Sequence, residues 1–275
     1  MIQRPERARA LRAQAVGDAV GRWATRIVLA ITLLFLAIPA LLVFVLSFSS
    51  SQFIEFPPPA WGFDQYIALF QSARWLDAIG VSIRIAVPVA LLTISIAVPA
   101  TLAINRTTMP ARNAAYMLGV SSLLFPGAAF AVALFGVFSQ FGLTSTYLGI
   151  VLSHTVLALP IALIVLSTAI GRVPRQLELV AMSLGASRLR AWAGVTIRLL
   201  GPAVGASALF AFVTSFDEAV LITFLGGPGL VTVPKAIFDS VRFGVEPVIT
   251  AIATLTFVVT GLCAAIASRV NSRSK

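Results

Sequence analysis

Side chains able to do acid–base, metal or nucleophilic chemistry are scarce in this chain. It has one histidine, His154, one cysteine, Cys263, and ten carboxylates spread over 275 residues. Metal binding and general acid–base catalysis need several such groups converging, and no run of His, Cys, Asp or Glu has that spacing. A phosphate-cradling loop needs Gly-x-x-x-x-Gly-Lys followed by Ser or Thr. The only lysines, Lys235 and Lys275, do not follow a glycine. The sequence therefore predicts no enzyme, no bound metal or cofactor and no nucleotide site of this type. Three places still carry chemistry inside apolar surroundings: the adjacent pair Asp217 and Glu218, the lone His154, and "ELVAMSLGASRLRAW" (178–192), where Glu178, Arg188 and Arg190 flank Gly185-Ala186.

The elements that position them follow from composition. A chain that is 59% hydrophobic and 11% charged lacks the polar side chains to cover a soluble core, so its solvent is a bilayer. The first charge-free stretch, Ile27 to Leu46, rises about 30 Å as a helix, enough to cross the hydrocarbon. Further spans are expected at Ile85 to Ile104, Ala114 to Phe138, Leu148 to Ile170, Leu199 to Leu225 (interrupted by Asp217 and Glu218) and Val248 to Ala267. Six spans put both termini on one side. Residues 1–26, 105–113, 171–198 and 268–275 hold sixteen of the twenty basic residues, and basic connections stay cytoplasmic. The net charge of +10 is thus an orientation feature and not a nucleic-acid footprint. The expected organisation is a basic cytoplasmic segment (1–26), one all-α polytopic domain of six transmembrane helices (27–267) and a cytoplasmic tail (268–275). Cys263 lies in an apolar run and reads as a small packing residue.

The 171–198 connection is the most basic internal loop, and Leu177, Ala181, Leu184 and Leu189 recur at roughly helical spacing. A short amphipathic helix over 175–192 is expected on the cytoplasmic side. Two readings fit it: an interfacial helix resting on anionic headgroups, or a contact helix for another body. Gly185-Ala186 allows a sharp turn or a close backbone approach.

The segment "LVAMSLGASRLRAWAGVTIRLLGP" resembles the cytoplasmic EAA loop of permease subunits from ATP-binding-cassette (ABC) importers. It matches at Ala181, Gly185, Ala186 and Val195-Thr196-Ile197. Leu179 and Val180 replace the usual Glu and its neighbour, Glu178 lies one residue early, and Arg198 stands where proline is common. The resemblance implies a coupling helix seated in a partner ATPase, through Glu178 or through shape complementarity, with Ala181, Met182, Leu184, Gly185, Ala186, Ser187 and Arg188 at the docking surface. "SFDEAVLITFLGGPGLVTVPKAIFDSVRFGVEPVITAIATL" (215–255) is similar to the C-terminal part of spermidine/putrescine-type permeases, as more weakly are "FPGAAFAVAL" and "HTVLALP". Together they imply the type I ABC importer fold and a bacterial inner-membrane location. The implied partners are an ATPase dimer that uses ATP and Mg, a second permease subunit, which the polyamine-type resemblance makes a different one although a homodimer is also open, and an extracytoplasmic solute-binding protein. The small-molecule cargo is a polyamine, with opines, aminophosphonates, thiamine and ferric iron as the other solutes of related permeases.

Asp217 and Glu218 lie about 27 Å from the cytoplasmic start of their span, near its outer edge. Carboxylates there either line a polar path, with a cationic cargo favouring that role, or end a helix in solvent. Asp239 and Glu246 add acidity to the same outer connection. His154 reads as a pathway candidate or as a packed interhelical hydrogen-bonder. A secondary transporter or channel acting alone is the alternative class. It calls for coupling-ion sites and paired half-helices, which this sequence does not display.

Overall fold

Backbone amides in hydrocarbon must pair within their own segment, and the apolar runs accordingly fold as helices. A computed structural model describes residues 4–108 and 110–272, with side chains over 21–108, 110–263 and 265. In chain order the helices are α1 (Arg4–Leu46), α2 (Asp64–Gln71), α3 (Ala73–Arg106), α4 (Arg112–Val120), α5 (Gly127–Gln140), α6 (Tyr147–Ile170), α7 (Gln176–Ser183), α8 (Arg188–Leu199), α9 (Gly201–Phe216), α10 (Val220–Leu225), α11 (Val233–Phe243) and α12 (Val248–Ser272).

The expected apolar runs are all helical, but two are not straight. α1 over Gly21–Leu46, α3 and α6 are each long and apolar enough to cross a bilayer unbroken, and the described apolar part of α12 is Val248–Cys263. The run Ala114 to Phe138 is divided into α4, a 3-10 turn (Ser121–Leu124) and α5, with α4 and its turn bent 112° from α5. Pro126 is the cause. A residue before proline is driven out of the α region, and Phe125 is extended at φ −99°, ψ 137°. α8 and α9 meet at 71°, where Pro202 enters the first turn of α9 and its ring excludes the carbonyl four residues earlier. The run to Leu225 breaks again after Phe216, so Asp217 and Glu218 occupy a joint between α9 and α10, not the body of one span.

The centre of the molecule is the packing of α3, α6 and α9 on one another. Ala86 and Ala97 of α3, Ala158 and Ala162 of α6, and Ala206 and Ala211 of α9 are all buried. Residues this small let backbones approach closely where water supplies no hydrophobic drive between helices. Ala158 and Ala211 share the main cluster with Ile85, Ile150, Leu221 and Ile222, which α5 and α10 help to form. Leu102, Ile170, Val173 and Leu200 close the end nearest the 171–198 loop. At the opposite end α11 is tied to α3 by the Val233 amide, which donates to Ser82 Oγ at 2.9 Å. α1 leans chiefly on α12 and turns the rest of its apolar surface outward, Phe35 being 73% exposed.

Gly149, in the first turn of α6, is fixed by the turn preceding it. Thr146 Oγ1 caps its amide at 3.0 Å, and an added Cβ would lie 2.0 Å from the Leu143 carbonyl oxygen. Gly149→Ala is expected to cost about 1–3 kcal/mol through this overpacking, read as a lower Tm of the detergent-purified protein. Gly136→Ala, with nothing within 4 Å of its Cβ, is the control expected to show no loss.

Candidate functional site

α6 ends at Ile170 and leaves its last carbonyls pointing beyond the helix, where a cation is favoured. Arg106, the final residue of α3, supplies it: Nη2 donates to Ile170 O at 3.3 Å and to Val173 O at 2.7 Å. Nε of the same guanidinium lies 2.8 Å from Glu178 Oε1, meeting it as an ion pair and not as an aligned hydrogen bond. Glu178 stands in the first turn of α7, the end of a helix that favours an anion. Its carboxylate also accepts from Thr196 Oγ1 at 2.7 Å and Trp192 Nε1 at 3.2 Å. Trp192 and Thr196 bound a π-helical turn within α8, a bulge that sets both donors toward one carboxylate. Both side chains of the ion pair are below 10% exposed. Four segments thus converge on one desolvated charge pair: the end of α3, the end of α6, the start of α7 and the π turn of α8.

This placement takes Glu178 out of the docking surface expected for 175–192. Glu178 does not lie on the outer face of the loop, because its charge is neutralised and hydrogen-bonded inside. The leucines are turned outward, as a contact or interfacial helix requires, with Leu184 83% and Leu189 74% exposed. Nor is the segment one helix. Gly185 adopts φ +91° and its amide donates to Met182 O at 3.0 Å, while Ala186 N donates to Ala181 O at 3.1 Å. The two bonds form a Schellman stop, and α8 restarts at Ser187, whose Oγ accepts from the Arg190 amide. Within this chain nothing lies within 4 Å of a Cβ at Gly185, so the glycine serves the turn and not a close approach. Met182, Ser187 and Arg188 are exposed; Ala181 and Ala186 are half-buried.

The candidates at the opposite end do not converge. Glu218 Oε1 accepts from the Val220 and Leu221 amides at 2.6 and 2.9 Å, capping α10, whereas Asp217 is exposed. His154 is fully buried, its Nδ1 2.9 Å from Ser215 Oγ, which links α6 to α9 and leaves the ring away from any surface of this chain. Of the other carboxylates at this end, Glu246 pairs with Arg74 at 3.0 Å and Asp239 with Lys235 at 2.8 Å. Much of the acidity expected to attract a cation is therefore neutralised locally.

Residues 110–275 match the family described as the binding-protein-dependent transport system inner membrane component. The chain belongs to this family. It is a permease subunit of an ABC importer, a transport component and not an enzyme. The permease is 28% identical over 257 residues, 90% of its length and 91% of the relative's, to the putrescine transport system permease protein PotI of Escherichia coli (strain K12). It is 32% identical over 162 residues, 57% of its length and 61% of the relative's, to the spermidine/putrescine transport system permease protein PotC of the same organism. Its fold is that of a chain in the crystal structure of a bacterial ABC transporter involved in the import of the acidic polysaccharide alginate, with a TM-score of 0.73 at 15% identity, covering 92% of the permease and 97% of that chain. A chain of the alginate ABC transporter in complex with an alginate pentasaccharide-bound periplasmic protein gives a TM-score of 0.64 at 18% identity, covering 98% and 95%.

Sequence reasoning assigns Arg106 only to the charge count and gives Trp192 and Thr196 no polar role. An arginine ending a span looks the same whether it faces water or a buried acid, and only the fold shows which. Glu178→Ala, which leaves Arg106 buried opposite no anion, is expected to lower stability by about 3–5 kcal/mol. Ser215→Ala, which removes one interhelical bond to His154, is expected to cost about 1 kcal/mol. Thermal unfolding of the solubilised permease separates the two.

Proposed function

We propose that this permease lines half of the translocation path of an ATP-driven importer for a small polyamine, and that a separate ATPase drives it by pressing on the loop at 171–198. The observation that carries the coupling role is the exposed apolar surface of that loop. Leu179 and Val180 are 56% and 57% exposed beside Leu184 and Leu189, on helices whose inner side is held by a buried ion pair. Apolar side chains in such a group are unfavourable in water and suit a protein groove, and the surrounding arginines steer toward an acidic rim. Shape and apolar contact carry the docking, since the Glu178 carboxylate is committed within the chain.

The charge distribution supports cytoplasmic termini, which puts this loop on the ATPase side and the joint at Asp217 on the side where an extracytoplasmic binding protein delivers cargo. A second permease subunit completes the path. ATP and Mg are used by the ATPase. A polyamine is the cargo that the similarity to PotI and PotC supports, and Asp217 is one of the exposed carboxylates that a cation could meet.

Proteoliposomes holding the permease, its ATPase and its second permease, with the binding protein on the outside, test this reading. Radiolabelled putrescine uptake is expected to require ATP and the ATPase. Leu184→Asp is expected to abolish uptake and ATPase co-purification while leaving membrane insertion intact. Full uptake without the ATPase would overturn the reading.

A further inference from the structure

We propose that Arg106 and Glu178 form a clamp that makes the docking loop mechanically continuous with the ends of α3 and α6, so that displacement of α7 reaches the spans instead of being absorbed in the connection. The inference rests on the coupling role proposed above for this loop. It adds positioning residues that touch neither the cargo nor the ATPase.

The argument begins with the connection between α6 and α7, residues 171–175. A short linker with a glycine and a proline would by itself let α7 swing independently of the span before it. Arg106 removes that freedom twice. Its Nη2 bonds the carbonyls of Ile170 and of Val173, one at the end of α6 and one inside the linker, and its Nε meets the carboxylate at the start of α7. The arrangement alternates in sign: the carbonyl end of α6, a guanidinium, a carboxylate, and the amide end of α7. Each neighbour lowers the energy of the next. Thr196 Oγ1 and Trp192 Nε1 then tie the same carboxylate to the π turn of α8, which continues through the 71° bend into α9. The exposed loop surface is therefore fixed to the three helices that form the centre of the molecule.

A buried pair is costly to separate, because either member alone is a desolvated, uncompensated charge. A linkage of that kind transmits a push, whereas exposed ion pairs contribute little and yield to solvent. Burial also hides the pair from a docked partner, so its role is to orient α7.

The test uses the complete transporter in proteoliposomes, with putrescine uptake and phosphate release measured on the same preparation. Glu178→Gln keeps the size and one acceptor but loses the charge. Thr196→Val removes a single bond to the carboxylate, and Thr196→Ser retains it. In Glu178→Gln and Thr196→Val, membrane insertion and ATPase co-purification are expected to persist and ATP hydrolysis to continue, while putrescine transported per ATP falls about tenfold. Thr196→Ser is expected to match the parent. Simple destabilisation would reduce the amount of transporter and leave this ratio unchanged. Parental transport per ATP in both variants would overturn the clamp while leaving the docking role intact. If Glu178→Gln does not insert, the Thr196 pair decides alone. If the parent shows no ATP-driven putrescine uptake, the importer reading fails first, and the clamp is judged by amide hydrogen exchange over residues 176–183 in the same complexes: faster exchange in the variants upholds it and unchanged exchange overturns it.

Discussion

A carboxylate withdrawn from water must find a cation and donors or become protonated, and this requirement organises one end of the permease. Glu178 meets it with Arg106 at the end of α3 and with Thr196 and Trp192 of the π turn in α8, two parts of the chain that share no local sequence. Satisfying them together fixes where α3 stops, how the linker after α6 turns, and where α8 bulges. The exposed leucines of the loop follow from the same constraint. With Glu178 turned inside, Leu177, Leu179, Val180 and Met182 make up most of the exposed surface of α7, with Gln176 and Ser183 at its ends.

The central packing obeys a different rule. Between α3, α6 and α9 many of the buried residues are alanines, interleaved with Val89, Leu163 and Leu166. Small residues permit close approach, and close approach makes dispersion the main attraction in an apolar solvent. Such an interface tolerates few insertions but carries no strong directional bonds. Directionality comes instead from isolated polar links, His154 with Ser215 at one level and Ser82 with the Val233 amide at another. The molecule thus combines a smooth helical centre with a few pinned points.

The helical runs are legible in the sequence because twenty uncharged residues have few other uses, and the family is legible in the loop and the 215–255 segment. The bends are less so. Length counts average over Pro126, although the backbone restriction it places on Phe125 is local and could be read from the dipeptide. The burial of Glu178 is not legible, since periodicity states that one side of α7 differs from the other and leaves open which residue turns inside when both a partner and a buried arginine compete for it. Arg106 and Glu178 are distant in sequence, and neither announces its counterpart. Asp217 and Glu218 look alike as neighbours, yet the joint between α9 and α10 makes one a cap and leaves the other in the open.

The corner between α4 and α5 has a bearing on what surrounds the molecule. α5 starts just after Pro126 with no side chain capping its leading amides, and Leu124 and Phe125 protrude beside them. Acyl chains cannot accept a hydrogen bond, so irregular main chain at membrane depth is tolerated only against protein or a wet cavity. The flank bearing this corner is therefore a poor lipid-facing wall, whereas the Gly21–Leu46 part of α1, unbroken as a helix and apolar outside beyond Arg26, has no such restriction.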